Sequence, residues 1–212
     1  AILTKTHKWG IVTEKYDKWT LYNSGPPMGQ KRERGVGLLT RLPTVDVEFE
    51  AFSERLFKAK IGSYKAIIVG VYAPTDCGYG DDEKTTFYDL LTTVIIKAET
   101  EARQLGFMTI VGGDFNCRIS YEVEDPVASV KKFAHSGKMS DNEEILILLA
   151  EERGMKVVNT FFCHNERKST SWTHPATKKR DLLDYFLVHA NNMGKVKDVQ
   201  CKHLYDCGSD ND

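Results

Sequence analysis

Met108-Thr109-Ile110-Val111-Gly112-Gly113-Asp114-Phe115-Asn116 is the stretch that decides how this chain is read. Met108 to Val111 is a short apolar run, the pattern of a buried strand. Gly112 and Gly113 then let the backbone turn tightly and come close to another group. A carboxylate and a carboxamide follow on alternate residues. Strand ends that release polar groups into a loop are where open α/β sheets place chemistry. Taken alone, the stretch reads equally well as an Asx turn closing a strand.

Working outward, Ala66-Ile67-Ile68-Val69-Gly70-Val71-Tyr72 is almost wholly apolar and predicts an inner strand. Two runs before it alternate with period two. Val45, Val47 and Phe49 interleave with Asp46, Glu48 and Glu50, while Phe57, Ala59 and Ile61 interleave with Lys58 and Lys60. Each predicts a strand with one buried and one wet face, acidic on the first and basic on the second, which suits cross-strand pairing. Gly62-Ser63 predicts a tight connection. Ala1-Ile2-Leu3, Trp19 to Tyr22 and Val36 to Leu39 read as further strands, with a Gly/Pro-rich loop from Asn23 to Arg34.

Asp81 and Asp82 can cap a helix whose stripe is Phe87, Leu90, Leu91, Val94, Ala98, Ala102 and Leu105, closed by Gly106. Ser140-Asp141-Asn142-Glu143 opens a second helix with a capping-box pattern. It carries Ile145, Leu146, Leu148 and Leu149 and stops before Gly154. Strands are expected at Lys156 to Val158, Ser169 to Thr173, Leu182 to Val188 and Lys195 to Cys201. Many strands with two interspersed helices predict an α/β fold: a four-layer sandwich of two mixed sheets face to face, helices outside.

With 212 residues, one domain spanning 1–212 is the economical expectation. Hydrophobic content of 41% and charged content of 28% are those of an ordinary globular chain, and a net charge of −1 provides no global pull toward a polyanion. Nucleic-acid binding must come from local patches such as Lys31 to Arg34, Lys131-Lys132 or Lys178 to Arg180. Five scattered cysteines with no CxxC pair and no secretory signal predict reduced thiols in the nucleus or cytoplasm, not a secreted chain. Cys201, His203 and Cys207 could form half of a zinc site, but their spacing fits no usual pattern. No apolar run is long enough to span a bilayer.

Four stretches stand at strand ends or in the loops after them: Tyr72-Ala73-Pro74-Thr75, Gly113-Asp114-Phe115-Asn116, Ser171-Trp172 with Leu183-Asp184-Tyr185-Phe186-Leu187, and Gly208-Ser209-Asp210. Asp184, set in an apolar run, calls for a dedicated partner because burying a lone carboxylate is costly. In order and rough spacing these stretches resemble the endonuclease/exonuclease/phosphatase superfamily across nearly the whole chain. They look most like the apurinic-endonuclease-like domain of non-LTR retrotransposons.

The resemblance implies hydrolysis of DNA phosphodiesters, with an activated water and a hard divalent cation, Mg²⁺ or Mn²⁺, neutralising the phosphate. It assigns Asp114 to orient or deprotonate the water, Asn116 to a phosphate oxygen, and Tyr72 to the phosphate. Ser171 supports the site by hydrogen bonding, Asp210 helps hold the metal, and Asp184 orients a histidine after Asp210. Trp172, Arg34 and Lys178 would face DNA. The parent polypeptide is expected to carry a reverse transcriptase.

Two departures stand out. Asn211 occupies the position of that histidine, and an amide cannot carry an imidazolium's charge or exchange a proton near neutral pH. Lys5, in Leu3-Thr4-Lys5-Thr6, stands where the family has its main metal-binding glutamate, and an ammonium repels the cation. The family's first strand would precede Ala1 and its last would follow Asp212. The expectation is therefore a domain truncated at both ends and impaired in nicking. The alternative is an inactive relic with residual nucleic-acid binding. A lipid or inositol phosphatase on the same fold is a third reading, from which Ala73-Pro74-Thr75 leans away.

Overall fold

Alternation along the strands sorts side chains into an inner and an outer face, and the computed structural model describes the result for residues 1–75, 81–119, 129–130 and 141–201. The chain divides into two compact units. One holds the described residues up to Pro74 and those from Asp81 to Asp114; the other holds Thr75 and the described residues from Phe115 onward.

In the first unit, β1 (Ile2–Thr4), β2 (Ile11–Tyr16), β3 (Trp19–Ser24) and β4 (Val36–Thr40) form an antiparallel sheet in the order β1-β4-β3-β2. A second sheet joins β5 (Val47–Ser53), β6 (Leu56–Ile61), β7 (Ala66–Tyr72) and β8 (Met108–Asp114). The hairpins β5–β6 and β6–β7 are antiparallel, and β7–β8 is parallel. Its crossover contains α1 (Asp81–Leu105). The sheets pack face to face, with β1 against β7 and β8 and β4 against β6 and β7. Tyr22, Val36, Leu38, Phe57, Ala59, Ile61 and Tyr72 fill the space between them. Each large side chain removed from water there contributes about 1.5–3 kcal/mol relative to exposure. On the far face of the second sheet, α1 lays Phe87, Leu91, Val94, Ile95, Ala98 and Ala102 against β6, β7 and β8. It ends at Gly106, whose φ of +69° lets the chain turn while the Phe107 amide donates to Ala102 O at 2.8 Å. The expected α/β sandwich, sheet on sheet with a helix outside, is present.

The second unit holds α2 (Asp141–Glu152), β9 (Met155–Val157), α3 (Glu166–Ser169), β10 (Trp172–Thr173), β11 (Arg180–Asp181) and β12 (Asp184–His189). β9 pairs antiparallel with β12, and β10 with β11. Helix α2 packs on β9 through Leu146, Leu149 and Ala150.

Several sequence expectations need correction. Val45 is 92% exposed in a short 3-10 turn, Thr44–Asp46, so β5 starts only at Val47. The Asp46 carboxylate is spent on the connection at Gly62-Ser63, accepting from the Ser63 amide at 2.7 Å. The basic face of β6 is not wet: α1 covers it, and Lys58 is only 6% exposed. Cross-strand pairing does hold, with Glu48 opposite Lys60 and Glu50 opposite Lys58. Ser169 closes the short helix α3, leaving a strand only at Trp172–Thr173. Lys195 ends a 3-10 turn and 196–201 form no strand. β2 is an unforeseen strand with one largely exposed edge. Ser140, Lys131, Lys132, His203, Cys207, Asp210 and Asn211 lie outside the described residues.

Candidate active site

β8 does not turn at its glycines; it runs straight through them to Asp114. Gly113 has φ +142°, and a Cβ there would collide with the Val71 carbonyl, so glycine is required by a close strand approach. That approach sets the parallel register in which Tyr72 stands opposite Asp114. Partners in parallel register share a face, and Tyr72 belongs to the core between the two sheets, so both side chains point to that side at the strand ends. Asp114 is fully buried and Tyr72 is 7% exposed. The Ala73 amide donates to Asp114 O at 2.8 Å, extending the pairing one residue further.

Arg55, which the sequence reading passed over, secures this end of β7. Its Nη1 donates to the carbonyls of Tyr72 and Ala73 at 3.3 and 3.4 Å, and its guanidinium lies 5.1 Å from the Tyr72 ring centroid. A guanidinium 6% exposed needs a counter-charge. Glu83 supplies one at 3.7 Å and also pairs with Arg34 at 3.0 Å. Arg34 reaches Glu54 at 2.7 Å as well. Glu54 feels burial first, which raises its pKa, but its hydrogen bonds and the arginines outweigh that and hold it below 4.5. The charge of Arg34, expected to face DNA, is thus balanced within the unit. Lys5 follows β1 directly, half-buried with a left-handed φ of +51°.

In the second unit Asn116 also has a left-handed backbone, φ +48°, a conformation asparagine tolerates better than most residues. Asn142, fully buried in the first turn of α2, donates to the Asn116 carbonyl at 3.4 Å. The Phe115 amide donates to Leu183 O at 2.9 Å. Ser171 is 6% exposed, and its hydroxyl accepts from the amides of Leu183 and Asp184 at 3.1 and 3.3 Å. Asp184 is half-buried and begins β12, where the sequence had placed it within the strand. Asn159 braces it: its amide nitrogen donates to Asp184 O at 3.2 Å and its oxygen accepts from the Phe186 amide at 2.8 Å. Because β9 ends at Val157, this carboxamide continues the ladder that the main chain abandons.

Below these groups Tyr185 is 1% exposed, accepting from the Ile119 amide at 3.0 Å and donating to Leu182 O at 2.9 Å. Burial pushes its phenol well above the usual value. The β10–β11 hairpin carries Trp172, edge-on to His174 at 5.4 Å, and the exposed Lys178 at φ +57° in its turn.

Among the described residues no group of three or more His, Cys, Asp or Glu is assembled for a metal ion. Lys5, just after β1, carries an ammonium whose charge repels a cation. Cys201 is likewise no ready zinc ligand, since burial, then the charge of Asp184, pushes its thiol up to about 11. Among the described residues no helix is long and apolar enough to cross a membrane.

Two solved structures align over most of the chain. One is the 3′ phosphatase NExo from Neisseria bound to a product DNA hairpin, with TM-score 0.59 and 19% identity, covering 85% of this chain and 70% of that one. The other is the 3′–5′ exonuclease NExo from Neisseria meningitidis, with TM-score 0.58 and 18% identity, covering 85% and 71%. The chain shares the fold of these two structures. In sequence it is similar to craniofacial development protein 2 of Bos taurus, 20% identical over 183 residues, which is 84% of this chain and 29% of that protein. The chain thus spans under a third of that relative's length. No family model matches.

Proposed function

We propose that the chain hydrolyses DNA phosphodiesters as an attenuated nicking endonuclease, the domain of a non-LTR retrotransposon polypeptide that also carries a reverse transcriptase. The observation that carries the reading is the register of Tyr72 with a fully buried Asp114 at the ends of parallel strands, two residues before a left-handed Asn116. A carboxylate held there is suited to take the proton of an attacking water, and a positioned acid or base contributes about 10²- to 10⁴-fold. Asn116 offers an amide to a phosphate oxygen. Ser171 and Asn159 hold the backbone at Asp184 from two sides. NExo, which shares the fold, is a 3′ phosphatase with bound DNA, and this supports phosphate-ester chemistry on nucleic acid.

In the family pattern magnesium supplies charge neutralisation at the phosphate. Its remaining ligand in this sequence, Asp210, lies outside the described residues. Lys5 and Asn211 account for the attenuation, since each removes a group that the pattern requires. With supercoiled plasmid and Mg²⁺, slow conversion to the open circle is expected, and Lys5→Glu with Asn211→His accelerates it at least tenfold. The same two departures favour a second reading, a relic that binds DNA without cutting it. Salt-sensitive binding, with no open circle from either the parent or the doubly substituted chain, selects that reading.

A further inference from the structure

We propose that Arg118 is a phosphate-binding residue, its guanidinium preset by Asp181 to receive an oxygen of the DNA backbone. The inference rests on the nucleic-acid reading above and adds a residue to it. Arg118 lies two positions beyond Asn116, in the same unit. Its Nε sits 2.7 Å from Asp181 Oδ2, an ion pair close in distance though not aligned as a hydrogen bond. The burial is lopsided: the Asp181 side chain is 4% exposed while that of Arg118 is 42% exposed. A pair serving only to brace the hairpin would gain by covering both partners. Here the acid is inside and the fork of the base looks out.

A guanidinium anchored at its Nε edge keeps the terminal nitrogens for a planar, two-point contact with a tetrahedral oxyanion. Among the described residues those nitrogens make no hydrogen bond with the protein, and the Trp172 ring centroid lies 5.9 Å from the guanidinium carbon. Local charge favours an anion. Lys179 Nζ lies 3.6 Å from Asp181 Oδ1, so two cations share one carboxylate and a positive charge is left over. Trp172 and its edge-on neighbour His174 flank the site with ring surface, which suits a nucleotide better than a free carboxylate.

The test is fluorescence anisotropy of the 212-residue chain with a labelled duplex across a NaCl series, each variant's fold being checked by near-ultraviolet circular dichroism. Each phosphate neutralised contributes about −0.9 to the slope of log affinity against log salt. Arg118→Gln is expected to make the slope shallower by about that amount and to weaken binding roughly 3- to 30-fold. Arg118→Lys keeps the slope but recovers only part of the affinity, because an ammonium lacks the fork. Asp181→Asn leaves the slope and lowers affinity, since the charge stays but loses its aim. If the parent chain binds with a salt-dependent affinity that Arg118→Gln and Arg118→Lys leave unchanged, Arg118 is a hairpin brace and the proposal falls while the DNA reading stands. Absence of salt-dependent binding by the parent chain overturns both.

Discussion

Asp114, the proposed base, and Tyr185, a buried brace, are the two residues whose replacement separates chemistry from support. Replacing Tyr185 with Phe keeps the ring packed near Phe115 but leaves the buried Ile119 amide without its acceptor. The expected loss is about 1–3 kcal/mol, read as a lower urea midpoint with an unchanged slope. Gly113→Ala forces a side chain into a positive-φ conformation and onto the Val71 carbonyl. The backbone strain alone costs about 1–3 kcal/mol, so this variant should melt several degrees lower. It should also lose the Tyr72–Asp114 register, and its residual activity should fall further than its stability. At this scale the sequence shows Tyr72, Asp114 and Asp184 as polar groups that end or interrupt apolar runs. Asn116 and Ser171, the latter in the polar run Ser169 to Thr173, stand out only through the family resemblance, and the roles of all five are proposals. Their supports do not stand out. Arg55, Asn142, Asn159 and Arg118 act by donating to, bracing or flanking groups far away in sequence, so spacing offers no trace of the partnership.

Between elements, the binding of α1 to the sheet below it is partly ionic. Lys58 pairs with Glu101 at 2.5 Å and Glu50 at 3.2 Å, Lys60 with Glu48 at 2.6 Å, and Lys97 also bonds to Glu50. The hydrogen bond from Lys58, opposed by burial, leaves Glu101 below the ordinary carboxylate value of 4.5. For Glu50 burial is the largest influence and raises the value, but Lys97 and Lys58 together hold it below 4.5. Both folded values lie below the unfolded one, so the unfolded chain takes up protons first as the pH drops. The stabilisation is therefore complete above about 4.5 and is lost as pH falls through the lowered values. Urea midpoints measured at descending pH should drop steeply there, and Glu101→Gln should flatten that limb. Lys58 and Lys60 are raised above 10.5, the former against burial, so their contribution is whole below that pH and fades above it. Alternation along β5 and β6 predicted the charge pairs. It could not predict that a helix would cover them, because a lysine facing glutamate on α1 has the same pattern as a lysine facing water.

For the molecule as a whole, the order of strands and helices gave the architecture, since period-two runs and a 25-residue amphipathic helix leave few arrangements other than sheet on sheet with a helix outside. Short pieces at the ends of expected strands differ, namely the 3-10 turns at Thr44–Asp46 and Ala190–Lys195 and the helix Glu166–Ser169. In each, local hydrogen bonds outweighed residue preference: Asn165, for example, caps α3 by accepting from the Lys168 amide. The fold is shared with a 3′ phosphatase and a 3′–5′ exonuclease, and the proposed hydrolysis is centred on Asp114 and weakened at Lys5 and Asn211. The most direct test is single-turnover plasmid nicking by the parent chain and by Asp114→Ala, with magnesium and equal amounts of folded protein. A slow nicking rate that falls at least a hundredfold on removal of the carboxylate is predicted; nicking at the same rate in both would contradict the account.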